Sequence, residues 1–310
     1  MNQPAPQTHD DRAGVIYAVC AYAAWGVLPV YWRIFRDVPP LELTAHRLLW
    51  CAPFAAIVTL LRGHMGRTLA AACIPRVTAT LLLTSVLISC NWLTYLHAIE
   101  TDQLIEASLG YYITPLVSFA LGFVFFGERM SRIRVAGIAL GVIALASQVA
   151  VIGHFPWIAL TLAFSFGLYG FFRKRAPVEG LDGLLIESAL LFPIVLGLVA
   201  WWTSTGQGVY RSGNLDLTRH GLLVLSGPIT AIPLALFAAG ARRIRMSTMG
   251  FLQYLAPSIT LTLAVFGFGE SFSTADTITF VCVWAALAVV ALEGRFKASP
   301  PAGDAAKLER

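Results

Sequence analysis

Two prolines lie at equivalent positions in two apolar stretches of the sequence, and each changes the hydrogen bonding of the backbone around it. Pro115 has no N–H, so the carbonyl of Tyr111 loses its helical partner, and Pro257 does the same to the carbonyl of Gln253. We predict that both prolines kink their helices and act in gating. Small or polar residues share a helix face with each proline: Ser108, Tyr111, Ser118 and Gly122 in the first stretch, and Gly250, Gln253, Thr260 and Ala264 in the second.

The polar residues near these prolines could either pack helices together or line a cavity for a ligand. Small residues at helical spacing permit close helix contact, whereas buried hydroxyl and amide groups need a partner or water. Asparagine can also hold helices together, and we favour a ligand-facing Asn91; Trp25 and Tyr169 could serve packing alone. The predicted substrate-binding residues of a central cavity are Trp25, Asn91, Trp92, Tyr95, Tyr111, Tyr112, Tyr169, Gln253 and Tyr254.

Few ionisable side chains lie within the apolar stretches, where a charge costs about 3 kcal/mol if the stretch spans a membrane. Arg47 follows His46, and Glu187 holds the position equivalent to Arg47 at a shift of 140 residues. For Arg47 and Glu187 we favour a structural bond to a neighbouring helix, or extension to the membrane interface, over a role in coupling. Proton coupling would require a titratable group in the cavity, and the candidates are His46, His97 and Glu106.

The sequence contains no pattern typical of covalent or nucleotide-driven chemistry. It has no nucleophile–base motif, no phosphate-cradling glycine loop and no ATP-binding motif. Its five cysteines include no C-x-x-C pair, so we predict reduced packing residues and expect no metal and no cofactor. The protein is therefore predicted not to be an enzyme.

The elements that must position these residues are membrane-spanning helices. The 310 residues are 57% hydrophobic and 13% charged, whereas a soluble domain is about half apolar and a quarter charged. Lipid cannot satisfy backbone polar groups, and no stretch alternates like a barrel strand, so we predict an all-α integral membrane fold. Ten segments approach the roughly 20 residues that span a bilayer: Gly14–Trp32, Leu41–Leu61, Val77–Ala98, Leu104–Phe126, Val135–Ile152, Trp157–Phe172, Gly183–Trp202, Leu222–Gly240, Met249–Phe268 and Thr274–Leu292.

The positions of Lys and Arg predict that both termini are cytoplasmic. With the N-terminus inside, 17 of the 22 basic residues fall in inner segments, four fall in outer loops, and Arg47 lies within a span. Basic loops facing anionic lipid account for the net charge of +5 without nucleic acid. The first apolar run is longer than a signal-peptide core, so we expect it to be retained.

A weak internal repeat relates the two halves of the sequence. The stretch GYYITPLVSFALGFVFFGER, Gly110 to Arg129, recurs at a shift of 142 residues. Within it and just beyond its end, the identities pair Tyr112 with Tyr254, Pro115 with Pro257, Leu121 with Leu263, Phe126 with Phe268, Gly127 with Gly269, Glu128 with Glu270 and Ser131 with Ser273. We interpret Glu128 and Glu270, which close the repeated motif, as residues that bond helix termini.

The repeat predicts an inverted architecture, because an odd number of helices per half makes the second half enter the membrane from the opposite side. We predict ten transmembrane helices as two inverted five-helix repeats, residues 14–153 and 154–293, between cytoplasmic tails 1–13 and 294–310. Transporters use this symmetry to expose one central site to each side in turn. The alternative is a duplicated packing unit without a transport role.

Several motifs resemble a known family. NWLTYLHAIETDQLIEASLGYYITPL from Asn91, HRLLW from His46, FSFGLYGFFRK from Phe164, GPITAIPLALFAAGARR from Gly227 and GFLQYLAP from Gly250 closely resemble the RarD branch of the EamA-type transporters, in the drug/metabolite transporter superfamily. The resemblance covers about Gly14 to Glu293. The sequence departs from the family pattern at His97, Glu100 and Thr114, where the branch has tryptophan, asparagine and asparagine.

The resemblance implies ten helices in two inverted bundles, with the first, third and fourth helix of each half around a central cavity. It also implies export of small metabolites or drugs, amino-acid-like or chloramphenicol-like, across the bacterial inner membrane. The expected partners are a small-molecule substrate and the lipid bilayer, with a monomer favoured. The alternatives are an uptake permease or exchanger of the same fold and, less favoured, a membrane enzyme or a scaffold.

Overall fold

The computed structural model describes residues 11–126, 135–136, 139–140, 142–143, 146, 155–178, 180–210, 217–241, 243–244 and 252–298. Within these residues every regular element is helical and no strand occurs. The helices are α1 Arg12–Arg33, α2 Pro40–Leu61, α3 Met65–Ala72, α4 Pro75–Glu100, α5 Leu104–Phe126, α6 Trp157–Arg175, α7 Gly180–Thr205, α8 Leu217–Ala241, α9 Leu255–Thr262 and α10 Thr274–Ala298.

Five helices in the described part of the chain are long and apolar enough to cross a membrane. They are α1, α2, α4, α7 and Leu217–Phe237 of α8, and shorter apolar stretches occur in α5, α6, α9 and α10. All these helices overlap predicted segments, whereas Val135–Ile152 lies largely outside the described residues. The sequence analysis did not predict α3, which follows Gly63, a turn residue with a positive φ of 69°.

The chain divides into two compact units, a large one within residues 1–118 and 157–271 and a small one within 119–156 and 272–310. In the small unit, Asp276 secures the start of α10 by accepting hydrogen bonds from Ser273 N (2.9 Å) and Ser273 Oγ (2.6 Å). The ring of Phe280 packs against Phe272 at 5.7 Å and Trp284 at 5.9 Å between centroids.

In the large unit, α2 packs against α7, α1 against α8, and α4 against α6. Two glycines permit close helix contact: Gly227 of α8 lies against the Trp50 backbone of α2, and a Cβ on Gly110 of α5 would lie 2.6 Å from the Ala159 carbonyl oxygen of α6. The apolar core around α2 and α7 includes Leu48, Cys51, Trp92, Leu184 and Ala231.

Equivalent carboxylates connect α2 and α7: one at the start of α2 binds near the end of α7, and one at the start of α7 binds near the end of α2. Glu42, in the first turn of α2, accepts a hydrogen bond from Val209 N after α7, at 2.8 Å. Asp182, in the first turn of α7 and 140 positions later, accepts from Thr59 Oγ1 at 3.4 Å and Arg67 Nη2 at 3.0 Å. The first turn of each helix is therefore hydrogen-bonded to residues at or just after the end of the other helix.

Candidate functional site

Asn91 joins three helices in the middle of the large unit. Its Oδ1 accepts a hydrogen bond from Tyr111 Oη at 2.9 Å, and its Nδ2 donates to Leu162 O at 3.2 Å and Ser165 Oγ at 3.0 Å. The side chain is almost wholly buried, so these bonds satisfy its polar atoms without a ligand. In this conformation Asn91 fixes α4 to α5 and α6, and a ligand-facing role stays a prediction.

A row of aromatic rings continues from this amide. Tyr95 and Tyr111 meet edge to face at 5.7 Å, Tyr111 meets Phe166 at 6.1 Å, and Phe166 meets Tyr169 at 6.0 Å. The row brings together three predicted site residues, Tyr95, Tyr111 and Tyr169, from three helices.

Arg47 lies in the same region and is buried among the helices. It is 5% exposed, and its Nε donates to Thr230 Oγ1 of α8 at 2.8 Å. Its guanidinium carbon lies 3.7 Å from the ring centroid of Trp92 and 5.0 Å from that of Trp32. Arg47 therefore forms the structural bond to a neighbouring helix that was one predicted alternative. No pattern in the sequence indicated that Trp32 or Thr230 would lie near it.

Glu187 has a basic partner that the sequence analysis missed. Arg173 Nε lies 3.3 Å from Glu187 Oε1, which also accepts from Thr84 Oγ1 at 2.6 Å, and the Tyr169 side chain lies close to both ions. Arg173 is four residues after Tyr169, so helical spacing was the one available signal. Gly183 makes room for this cluster, because a Cβ there would overlap the Arg173 guanidinium.

The three candidates for proton coupling occupy different environments. His46 is fully buried in α2, and His97 is partly exposed near the end of α4, 5.5 Å from the Trp157 ring. Glu106 accepts hydrogen bonds from Ile158 N at 2.9 Å and Ala159 N at 3.3 Å, which satisfies two free amides at the start of α6. Glu106 therefore has a helix-capping contact, and coupling through any of the three stays a prediction.

A second group of predicted residues lies beside the two prolines. Tyr112 stacks on Tyr254 at 6.0 Å, and their neighbour Ser258 shares a 2.5 Å hydrogen bond with Tyr112 Oη. Gln253 hydrogen-bonds Tyr254 through its side chain. Pro115 lies inside continuous α5, whereas the helix around Pro257 is interrupted just before α9 begins. The equivalent prolines therefore have different local geometries.

Trp25 belongs to a separate apolar group in the large unit. Its ring packs against Tyr22 at 5.5 Å and Phe237 at 5.7 Å. These contacts account for packing between α1 and α8, which was the alternative to a ligand contact for Trp25.

The repeated Gly-Glu pair has a clear structural role in the second half. After the π-helical turn Leu263–Gly267, Gly269 adopts a φ of 72°, which glycine tolerates without strain. This turn directs the Glu270 carboxylate to Leu104 N and Ile105 N at the start of α5, each at 3.0 Å. Burial raises the pKa of Glu270 above its ordinary value. Gly127 and Glu128 lie outside the described residues.

Replacing Glu270 by alanine is expected to lower the free energy of unfolding by about 1–2 kcal/mol, because two helix-terminal amides lose their acceptors. Thermal unfolding of the purified protein in detergent measures the change. Asp37→Asn is the control, since Asp37 is exposed and pairs with Arg219 on the surface. Equal melting temperatures for Glu270→Ala and the wild type would contradict the capping role.

Two spaces of very different size occur in the large unit. A cavity of about 380 Å³ lies between α1, α2, α7 and α8, toward the end where α1 begins. A space of about 10 Å³, enough for roughly one water, lies toward the end where α1 finishes. The larger cavity is lined by Tyr17, Phe54, Val58, Leu181, Ala231, Ile232, Ala235, Leu236, Ala239 and Arg243, none of which is a predicted binding residue.

The five helices that are long and apolar enough to cross a membrane indicate a multi-pass membrane protein. Comparison with known proteins specifies it further. The sequence profile of the EamA-like transporter family matches residues 12–148. The uncharacterized transporter YojE of Bacillus subtilis is 38% identical over 91% of this chain and 94% of its own length, and protein RarD of Escherichia coli is 34% identical over 91% and 95%.

A solved crystal structure shares the fold, with a TM-score of 0.58 and 21% identity over 91% of this chain and 98% of that one. The chain belongs to the RarD group of the EamA-like transporter family. It is a membrane transporter of the drug/metabolite type, as the motifs around Asn91 and Gly227 predicted.

Proposed function

We propose that the protein is a secondary transporter that exports small metabolites or drugs across the bacterial inner membrane by alternating access. Its ten helices would form two inverted five-helix repeats around a central cavity, with both termini in the cytoplasm. The basic inner segments support this orientation. Energy would come from a gradient or from exchange.

The observation that carries the proposal is that helices of each half pack against helices of the other half in equivalent pairs. By the sequence shifts, α1 corresponds to α6, and α4 corresponds to α8. The packing of α1 on α8 is therefore the counterpart of the packing of α6 on α4. The equivalent carboxylates Glu42 and Asp182 repeat this pairing at opposite ends of α2 and α7. Both features support an inverted repeat.

The unequal spaces support one state of an alternating-access cycle. With the N-terminus in the cytoplasm, the 380 Å³ cavity would lie in the inner half, and the nearly closed space near Trp32 in the outer half. An exporter in this state would accept its substrate from the cytoplasm. Uptake or exchange by the same fold is the second candidate, since the same conformation also occurs in those cycles.

We expect proteoliposomes containing the protein to move at least one member of a panel of labelled amino acids, amines and chloramphenicol-like drugs, tested with and without a pH gradient. Asn91→Ala and Gln253→Ala are each expected to lower initial transport rates roughly tenfold, about the cost of one lost hydrogen bond. Gln207→Ala, in an exposed loop, is the matched control.

Transport rates are normalised to the amount of folded, reconstituted protein. If no panel member moves, and both variants leave cellular export unchanged, the cavity assignment fails. Transport that depends on the direction of reconstitution separates export from uptake.

A further inference from the structure

Arg47 is a buried cation that lacks an acidic partner among the described residues. No carboxylate there forms an ion pair with it, whereas Arg173 is paired with Glu187. Within the described part of the chain its one hydrogen bond, to Thr230, uses Nε. A buried guanidinium without a counterion is costly, and a bound anion would offset that cost.

The surroundings of Arg47 leave one edge of the guanidinium for a ligand. Two indole rings lie against the guanidinium, since its central carbon is 3.7 Å from the Trp92 centroid and 5.0 Å from that of Trp32. Among the described residues neither Nη atom has a protein acceptor, and neither atom is fully enclosed. These N–H groups point in the guanidinium plane.

This geometry selects the charge and shape of the ligand. The free edge of a guanidinium matches a carboxylate, which accepts two parallel hydrogen bonds in the same plane. One cation neutralises one negative charge, so a phosphate dianion would keep an uncompensated charge in a poorly solvated site.

We propose that Arg47 binds the carboxylate of a monoanionic or zwitterionic substrate beside Trp32 and Trp92. The proposal rests on the transport function proposed above and narrows its substrate class to small carboxylic acids. It gives Arg47 a substrate-binding role in addition to its bond to Thr230.

The test compares carboxylates with amides of the same shape, using full-length protein purified in detergent. Butyrate and 3-phenylpropionate are titrated against butyramide and 3-phenylpropanamide, with chloride as a third arm, and binding is measured calorimetrically and by thermal stabilisation. We expect the carboxylates to bind the wild type about tenfold or more tightly than their amides, because only they form charge-assisted hydrogen bonds.

Arg47→Gln should remove this preference, and Arg47→Lys should retain part of it, because lysine keeps the charge without the planar fork. Arg36→Gln is the matched control: it removes an arginine from the exposed loop after α1, where Arg36 pairs with Asp102. The wild-type comparison needs no variant, so a misfolded Arg47→Gln protein does not decide the question.

Equal binding of carboxylate and amide to the wild type would overturn the proposal, as would chloride binding as tightly as the carboxylates. Unchanged carboxylate preference in folded Arg47→Gln would overturn it too. Transport of neutral drugs without carboxylate binding would refute this inference and leave the transport function standing. Carboxylate binding without transport of any panel member would support the binding role of Arg47 and refute the proposed transport function.

Discussion

Replacing Glu187 by glutamine is expected to destabilise the protein by about 3–5 kcal/mol, because it leaves the Arg173 guanidinium buried without its counterion. The side chains of Arg173 and Glu187 are only 11% and 1% exposed, so water cannot substitute for the lost charge. The change is measured as the midpoint of thermal unfolding in detergent.

Two further variants separate the ion pair from other effects. Glu100→Gln removes an exposed carboxylate near His97 and is expected to change stability by less than about 1 kcal/mol. The double variant Arg173→Met/Glu187→Leu should recover much of the loss, since apolar residues replace both charges together. A single Glu187→Gln variant as stable as the wild type would show that the pair contributes little.

Replacing Gly227 by leucine is expected to prevent recovery of folded, monodisperse protein, and Gly227→Ala to lower stability by about 1–3 kcal/mol. A Cβ at this position would overlap the backbone carbonyl group of Trp50 in α2. Backbone atoms cannot rotate away as a side chain can, so α2 and α8 would have to separate.

Gly197 supplies the control for this prediction. It lies in α7 with no other group within 4 Å of a Cβ built there, so Gly197→Ala and Gly197→Leu should be tolerated. Size-exclusion profiles and melting temperatures of the four variants measure the contrast. Equal loss of folded protein at both glycines would mean that backbone approach is not the cause.

Local sequence patterns predicted most of the helices. The length of the apolar stretches predicted α1, α2, α4 and α7, because a segment in lipid must satisfy its own backbone hydrogen bonds. The role of the second Gly-Glu pair was also predicted from the sequence: Glu270 was interpreted as a residue that bonds a helix terminus, and it caps α5. Short α3 was missed because its eight residues carry little apolar signal.

The candidate site was predicted less completely. The rings of Tyr95 and Tyr111, both assigned to the predicted cavity, are in contact, whereas their role in binding a substrate stays a prediction. The partners of Arg47 and Glu187 were not predicted. Thr230 is 183 residues from Arg47, and no local period encodes such a contact.

The sequence by itself determined the class of protein, its helices and the polar residues that a membrane makes costly, since these depend on composition and local hydrogen bonding. Only the tertiary structure decided what those polar residues bind. It paired Glu187 with Arg173, directed Glu106 and Glu270 to the ends of other helices, and placed Arg47 against two indole rings. The physical reason is that a buried charge is stabilised by groups close in space, and packing between distant helices sets which groups those are.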